Sequence, residues 1–128
     1  MRMTRSQWDA LVEHARDEAP DECCGWARGR DDAIEDVFRA VGSETWRYGF
    51  RFGFKDLTAV TDAEDEGYEI WIYHSHPRSR AEPSQQDIND APATSWRHLI
   101  ISLEGDPVVR AWRIDDGRVE EEEIVLDG

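Results

Sequence analysis

Residues 68–76 constrain the fold of this chain more than any other segment. The run Tyr-Glu-Ile-Trp-Ile-Tyr-His-Ser-His is rich in β-branched and aromatic residues, which favour extended structure. Pro77 follows directly, and because proline cannot donate a hydrogen bond to a neighbouring strand, it cannot continue a central strand. The sequence therefore predicts a buried strand over residues 68–76 that ends at Pro77.

Three helices are predicted from apolar periodicity and from end signals. Thr4 and Gln7 form a capping box at the start of the first helix, Gly67 is placed as the C-cap of the second, and Ser84 is the N-cap of the third. The predicted helices cover residues 4–18, 55–66 and 85–90.

Six further segments have strand composition or alternation. They are residues 23–29, 34–41, 48–54, 99–103, 108–114 and 119–126. Turn residues separate most of them, which suits antiparallel pairing. The chain has 128 residues, the usual size of one domain. We therefore predict an α/β fold, a single domain over residues 1–128 in which helices flank one mixed sheet.

The charge balance excludes several classes of partner. The chain has 15 Lys+Arg and 29 Asp+Glu, a net charge of −14, which would repel phosphate backbones and anionic lipid. No apolar run reaches the ~20 residues that a membrane span needs, and the N-terminus becomes polar too early for a signal peptide. Cys23 and Cys24 are adjacent, so they are not expected to form a disulfide. These features predict a cytoplasmic protein without nucleic-acid or membrane partners; the oligomeric state is not readable from the sequence.

Two histidines at the end of the predicted central strand suggest a metal site. His74 and His76 are two residues apart, so both imidazoles project from the same face of a strand. A catalytic zinc site takes three protein ligands and keeps a position for water, and Asp87, in the short helix, is the candidate third ligand. Other interpretations stay open at this point: the histidines can be polar residues at a core edge, and Ser84 with Asp87 can be an ordinary capping box.

The same residues resemble a known family. His74-Ser75-His76-Pro77, followed by Ser84 and Asp87, matches the H-S/T-H-P-x(6)-S-x-x-D signature of the JAMM, or MPN-plus, zinc metalloproteases. Members of that family place a catalytic glutamate beside the first strand after the first helix, and Glu22 stands there within Pro-Asp-Glu-Cys-Cys-Gly. The resemblance covers nearly the whole chain and implies the JAMM/MPN fold, which is similar to that of cytidine deaminases. Residues 26–28 depart from the more aliphatic strand of many relatives, which bears on packing only.

The resemblance also implies a chemistry. Zn²⁺ would be held by His74, His76 and Asp87, with Glu22 as general base and Ser84 stabilising the oxyanion. The implied reaction is hydrolysis after the C-terminal Gly-Gly of a ubiquitin-like or sulfur-carrier protein. Arg78 and Arg80, in the predicted loop beside the metal, are available to meet an acidic carrier. Ser75 should point to the opposite face and serve in packing.

Two other functions are alternatives to a zinc peptidase. A non-catalytic MPN-type scaffold would lack the metal residues, which this chain retains, and a zinc deaminase would need the H-x-E and P-C-x-x-C elements, which it lacks. Remaining polar and aromatic residues are interpreted as structural. Cys24 is expected to be a small core residue, His14 to lie toward the polar side of the first helix, and His98 to open a strand without a role at the metal. Most tryptophans at or near predicted strands, namely Trp46, Trp71, Trp96 and Trp112, are expected in the core.

Overall fold

The computed structural model describes residues 1–128 and contains ten strands and three helices. The helices are α1 (Arg5–Glu18), α2 (Phe54–Asp65) and α3 (Gln85–Asp90). The strands are β1 (Arg2–Thr4), β2 (Cys24–Arg30), β3 (Ala33–Arg39), β4 (Glu44–Trp46), β5 (Gly49–Arg51), β6 (Glu69–His76), β7 (Arg97–Ser102), β8 (Val108–Asp115), β9 (Arg118–Glu122) and β10 (Val125–Asp127). No helix is long and apolar enough to cross a membrane.

Eight strands form one mixed sheet in the order β10-β1-β3-β2-β6-β7-β8-β9. Strand β6 runs parallel to β7, and β1 runs parallel to both β3 and β10, while the other neighbours are antiparallel. Strands β9 and β10 lie at opposite edges although only residues 123–124 separate them along the chain. The sheet must therefore curl until its two edges approach each other. The predicted α/β fold with a mixed sheet flanked by helices is confirmed.

Strand β6 lies in the middle of this sheet, as its composition predicts. Residues 70–76 are all buried, and side chains alternate between two layers. On one face Trp71 and Tyr73 pack in a cluster with Leu11 of α1. On the other face Ile70 and Ile72 pack against α2. The sheet thus has helices on both faces. Helix α2 packs against Ile70 and Ile72, and His74 and His76 follow on the same face of β6, at the end of the strand.

The helix predictions agree with the structure to within one residue at each end. Thr4 and Gln7 exchange both capping-box hydrogen bonds, at 2.9 and 3.1 Å. Gly67 follows α2 with a φ of 94°, a left-handed conformation that favours glycine. Helix α3 covers the predicted residues 85–90. The local signals were sufficient here because capping and periodicity act within one or two turns.

The prediction of one strand over residues 48–54 is wrong. Strands β4 and β5 form a separate antiparallel hairpin, in which Thr45 lies opposite Phe50, and α2 already begins at Phe54. At Gly53 the chain passes so close to Gly42 that a Cβ would collide with the Gly42 carbonyl oxygen. This close approach closes the base of the hairpin and ends the extended segment early.

The prediction of one strand over residues 119–126 is also wrong. The chain leaves β8 as β9, breaks at residues 123–124 and joins the opposite edge as β10, beside β1. The short strand β1 was not predicted at all. Three residues carry too little pattern to be recognised, and their pairing depends on a partner more than 120 residues away.

Two side-chain predictions need correction. His14 does not lie on the polar side of α1: it is 5% exposed, and its Nδ1 lies 2.6 Å from the Tyr73 hydroxyl. Burial lowers the pKa of His14 to about 4, so the ring is neutral. Trp46 is 42% exposed on the hairpin, whereas Trp71, Trp96 and Trp112 are in the core as predicted.

Candidate metal centre

The end of β6 presents two imidazoles on one face of the sheet. The Nε2 atoms of His74 and His76 lie 3.1 Å apart, which is possible because residues two apart in a strand project from the same face. Ser75 points to the opposite face and is fully buried. Its hydroxyl oxygen accepts a 2.7 Å hydrogen bond from the Cys23 amide. Ser75 thereby fixes the position of Cys23, which lies between Glu22 and the first residue of β2.

Helix α3 delivers a carboxylate to the two histidines. The Ser84 oxygen accepts from the Asp87 amide at 3.0 Å, and Asp87 Oδ2 accepts from the Ser84 amide at 2.9 Å. This capping box fixes the Asp87 side chain, whose Oδ2 lies 3.1 Å from His74 Nε2 and 3.2 Å from His76 Nε2. The capping-box and metal-ligand interpretations of Asp87 are therefore compatible, because the cap holds the carboxylate in place.

The loop between β6 and α3 is held rigidly against the sheet. The carbonyl oxygens of residues 79–81 each accept a hydrogen bond from a buried side chain. The donors are Ser102 Oγ at 2.6 Å, His76 Nδ1 at 2.7 Å and Trp112 Nε1 at 2.8 Å. A carbonyl oxygen can only accept, so Nδ1 of His76 carries a proton. In the neutral ring, Nε2 then presents its lone pair to the cluster.

Burial and mutual contacts shift the pKa values of all three side chains in the cluster. Burial lowers the pKa of His74. Burial alone would also lower the pKa of His76, but its hydrogen bonds to Asp87 and to the Arg80 carbonyl outweigh that effect and raise it. In Asp87 the burial effect is likewise overcome by the two histidines, and the pKa lies well below its usual range. Two imidazole nitrogens and a carboxylate oxygen at this separation repel each other unless a proton or a metal ion lies between them.

The donor set fits a tetrahedral metal ion. Ligand atoms about 2.0–2.1 Å from zinc at tetrahedral angles are about 3.3 Å apart. The three atoms of this cluster are 3.1, 3.1 and 3.2 Å apart. The three residues together form the one group of His, Cys, Asp and Glu side chains suited to hold a metal ion. Three protein ligands would leave a fourth position toward the adjoining cavity, the pattern of catalytic sites.

Glu22 lies in the same cavity, which has a volume of about 740 Å³. Its amide donates to the Trp46 carbonyl at 2.9 Å. This hydrogen bond joins the residues just before β2 to the hairpin. The side chain is 8% exposed, and Oε1 is buried without a hydrogen-bond partner. Burial raises the pKa of Glu22 to about 7, although the charge of His76 opposes that shift. The cavity therefore holds a carboxyl group that can exchange a proton near neutral pH.

The structure adds residues that the sequence did not point to. Phe50 of the hairpin stacks on the His74 ring, with centroids 4.7 Å apart and planes 28° apart. His98 lines the cavity too, and its Nε2 is buried without a partner. No periodicity relates Phe50 to His74, because they lie in separate sheets. Only the position of His98 in a strand beside β6 could have suggested its proximity.

Cys24 is a buried thiol rather than a nucleophile. It lies directly opposite His74 in the β2–β6 pairing and is 2% exposed. Burial raises its pKa to about 12, so the reactive thiolate form is not populated at neutral pH. Cys23 is fully buried as well, and both cysteines are free. The expectation that Cys24 is a small core residue agrees with this environment.

Comparison with known proteins places this chain in a family. Residues 4–115 match the family model described as prokaryotic homologs of the JAB domain. The chain is 32% identical over 123 residues to the CysO-cysteine peptidase of Mycobacterium tuberculosis, covering 91% of this chain and 84% of that protein. It is 29% identical over 120 residues to the desampylase of Haloferax volcanii, covering 86% of each.

Solved structures agree with the fold. A protein of Desulfitobacterium hafniense is 33% identical and superposes with a TM-score of 0.81, covering 98% of this chain and 92% of that one. A JAB1/MPN domain protein of Archaeoglobus fulgidus superposes with a TM-score of 0.66 at 17% identity, covering 100% and 97%. The match over residues 4–115, together with these relatives, shows that the chain belongs to the prokaryotic JAB-domain family, the JAMM/MPN family that its central motif resembles.

Proposed function

We propose that this protein is a zinc-dependent peptidase that hydrolyses the peptide or isopeptide bond after the C-terminal Gly-Gly of a ubiquitin-like or sulfur-carrier protein. The observation that carries the proposal is the triangle of His74 Nε2, His76 Nε2 and Asp87 Oδ2, which adjoins the cavity that contains Glu22. The relatives named a CysO-cysteine peptidase and a desampylase support the reaction class.

In this proposal His74, His76 and Asp87 hold the zinc ion. Zinc bound there would supply a polarised water whose pKa is lowered from ~15.7 toward ~7. The chain holds the ligands ready through three contacts. Phe50 stacks on His74, the Arg80 carbonyl accepts from His76, and the Ser84 amide donates to Asp87. Supports of this kind fix the orientation of a metal ligand.

Glu22 handles the protons in this mechanism. Its carboxylate takes a proton from the attacking water and passes it to the amine that leaves when the carbon–nitrogen bond breaks. General bases work best when their pKa lies near the working pH, and in the metal-free protein burial raises the pKa of Glu22 to about 7. Zinc beside it would favour the carboxylate, which is the form that accepts the proton. The unpartnered Oε1 leaves one carboxylate oxygen without a competing hydrogen bond.

Ser84 stabilises the oxyanion of the tetrahedral intermediate in this proposal. Its oxygen accepts from the Asp87 amide, but an acceptor bond leaves the hydroxyl hydrogen free to donate. The residue also lines the cavity. A single oxyanion donor is worth about 2.7–4 kcal/mol in other hydrolases.

A glycine-rich tail suits the substrate side of the cavity. The aromatic side chains of Trp46, Tyr48 and Phe50 line one wall, and α3 lines another. A chain without side chains can pass between such walls in an extended conformation. We propose that the two glycines before the scissile bond fill this passage.

Mass spectrometry of a carrier protein that ends in Gly-Gly with one additional cysteine tests the function. The zinc-loaded protein should release the cysteine, and a chelator should stop the reaction. The Glu22→Gln variant should bind zinc as the wild type does but lose about 10²–10⁴-fold in rate. The Glu18→Gln variant makes the same chemical change at an exposed residue of α1 and serves as control. Equal rates for the Glu22→Gln variant and the control would contradict the mechanism, and release of cysteine without metal would contradict the proposed function.

A further inference from the structure

The unpaired cations of this chain are distributed unevenly. Of 15 Lys and Arg residues, eight form ion pairs with acidic side chains; they are Arg2, Arg5, Arg28, Arg30, Arg39, Arg97, Arg110 and Arg113. The seven that have no acidic group within 4.0 Å are Arg16, Arg47, Arg51, Lys55, Arg78, Arg80 and Arg118. An unpaired arginine keeps its charge available for a partner, so the positions of these residues are informative.

Four of these arginines, which we call the arginine rim, flank the cavity of the candidate metal centre. Arg51 lines the cavity itself, and Arg47 lies between two cavity-lining aromatic residues. Arg78 and Arg80 flank Ser79, which also lines the cavity. All four side chains are exposed.

The rim differs in charge from the rest of the molecule. Residues 44–51 and 77–83 each carry two arginines and one glutamate, so together they have a net charge of +2 while the remaining chain has −16. Of the two glutamates, Glu82 is engaged by Arg110 at 3.1 Å. Glu44 lies opposite Arg51 in the hairpin without forming an ion pair. Asp90 of α3 also lines the cavity, so the positive charge lies on the hairpin and on residues 77–83, and these two segments are where an acidic protein can approach.

Both segments of the rim are held in place before any partner binds. The hairpin is tied at its base by Asp56, which accepts from the Val41 and Gly42 amides, each at 2.9 Å, and from the Ser43 hydroxyl. Ser43 in turn accepts from the Gly53 amide at 2.9 Å. The loop over residues 79–81 is fixed by its three carbonyl hydrogen bonds. Groups that are already ordered lose less entropy on binding.

Exposed apolar side chains are concentrated in the segment of the chain that contains the hairpin arginines. Nine large hydrophobic residues are exposed in the whole chain, and five of them fall within residues 41–57. They are Val41, Trp46, Tyr48, Phe54 and Leu57, and Tyr48 and Phe54 are exposed to 74% and 87%. Aromatic residues and arginine are the types enriched where proteins bind proteins.

We propose that the arginine rim and the neighbouring apolar side chains dock the folded body of an acidic protein whose C-terminal tail enters the cavity. This inference rests on the proposed function and adds the charge of the partner. An acidic enzyme and an acidic carrier repel each other at long range. A local positive surface beside the cavity offsets that repulsion at the point where the two proteins make contact. A net charge of +2 on a chain of −14 is too small for a nucleic-acid site, and the exposed aromatic residues favour a protein.

Matched double variants test the rim. Arg47→Gln with Arg51→Gln, and Arg78→Gln with Arg80→Gln, each remove two unpaired positive charges at the cavity mouth. Arg16→Gln with Arg118→Gln removes two unpaired positive charges elsewhere, so all three variants have the same net charge. The probe is an acidic ubiquitin-like carrier protein that ends in Gly-Gly-Cys, compared with a ten-residue peptide of the same C-terminal sequence. Binding is measured by calorimetry with each variant combined with Glu22→Gln, so that the probe is not cleaved. Cleavage by the variants that keep Glu22 is measured by mass spectrometry, and both are measured at low and high salt.

Each rim variant should weaken carrier binding and lower kcat/KM on the carrier about three- to tenfold at low salt, and the control variant should not. The loss should be at least threefold smaller for the tail peptide and should shrink at high salt. Equal effects in rim and control variants, or equal losses on carrier and peptide, would overturn the proposal. Inhibition by a duplex oligonucleotide that the rim variants abolish would assign the surface to nucleic acid instead.

The outcomes for function and docking are separable. Binding that depends on the rim without cleavage would overturn the proposed function and support the docking surface. Cleavage that does not depend on the rim would do the reverse. Absence of both binding and cleavage would overturn both.

Discussion

Replacing Glu22 with glutamine should stabilise the metal-free protein at alkaline pH. Burial raises the pKa of Glu22 from 4.5 to about 7 in the folded state. Between these values the folded protein holds a proton that the unfolded chain has lost, so the stability of the wild type falls as the pH rises through this window. Each pKa unit corresponds to 1.36 kcal/mol, so the loss is complete above the folded pKa at roughly 3 kcal/mol. Glutamine has no charge to bury and escapes this loss.

Urea denaturation with a chelator present measures this effect. The free energy of unfolding of the Glu22→Gln variant minus that of the wild type should be smallest at pH 4 and should rise by roughly 3 kcal/mol at pH 8. All other titrating groups are common to both proteins, so their contributions largely cancel in the difference. Without chelator, added zinc should reduce this difference in the free energy of unfolding at pH 8, because a nearby cation favours the carboxylate of Glu22. A difference that is the same at pH 4 and pH 8 would refute the reasoning that burial controls this carboxyl group.

Three further predictions concern the ligands and their supports. The Asp87→Asn variant should contain far less than one zinc per chain by elemental analysis, while Asp90→Asn on the same short helix should retain it; equal metal content would exclude Asp87 as a ligand. The Ser75→Ala variant should unfold about 1–3 kcal/mol more easily in urea, since the buried Cys23 amide loses its acceptor. An unchanged midpoint would show that this hydrogen bond contributes little. The Ser84→Ala variant should lose about 10²–10³ in kcat with zinc retained, and Ser84→Thr should keep most of the activity. Loss of zinc in Ser84→Ala together with its retention in Ser84→Thr, which keeps the capping hydroxyl, would assign Ser84 to the helix cap alone.

The candidate site was predictable from the sequence where its parts are local. Strand alternation places His74 and His76 on one face, and the capping box orients Asp87 at the start of a short helix. These relations involve at most a few residues along the chain. The position of Glu22 beside them was available only from the family resemblance. No periodicity relates residue 22 to residue 76.

Long-range packing decided the features that the predictions missed. The hairpin that carries Phe50 has no pattern that distinguishes it from one longer strand, and the close approach of Gly53 to Gly42 separates the two interpretations. His14 follows the polar positions of α1, yet Tyr73 from β6 provides a buried partner for its ring. A helical wheel cannot show that partner.

The sequence by itself determined the central strand, the helix ends, the metal-ligand pattern and the overall acidity. These depend on backbone preferences, caps and alternation, which act over a few residues, and on composition. Only the tertiary structure decided that the sheet curls until β10 joins β1, that a hairpin covers His74, and that the hairpin brings Arg51 to the cavity of the metal site. Those features arise from contacts between segments far apart in the chain, and the free energy of such contacts has no periodic signature in the sequence.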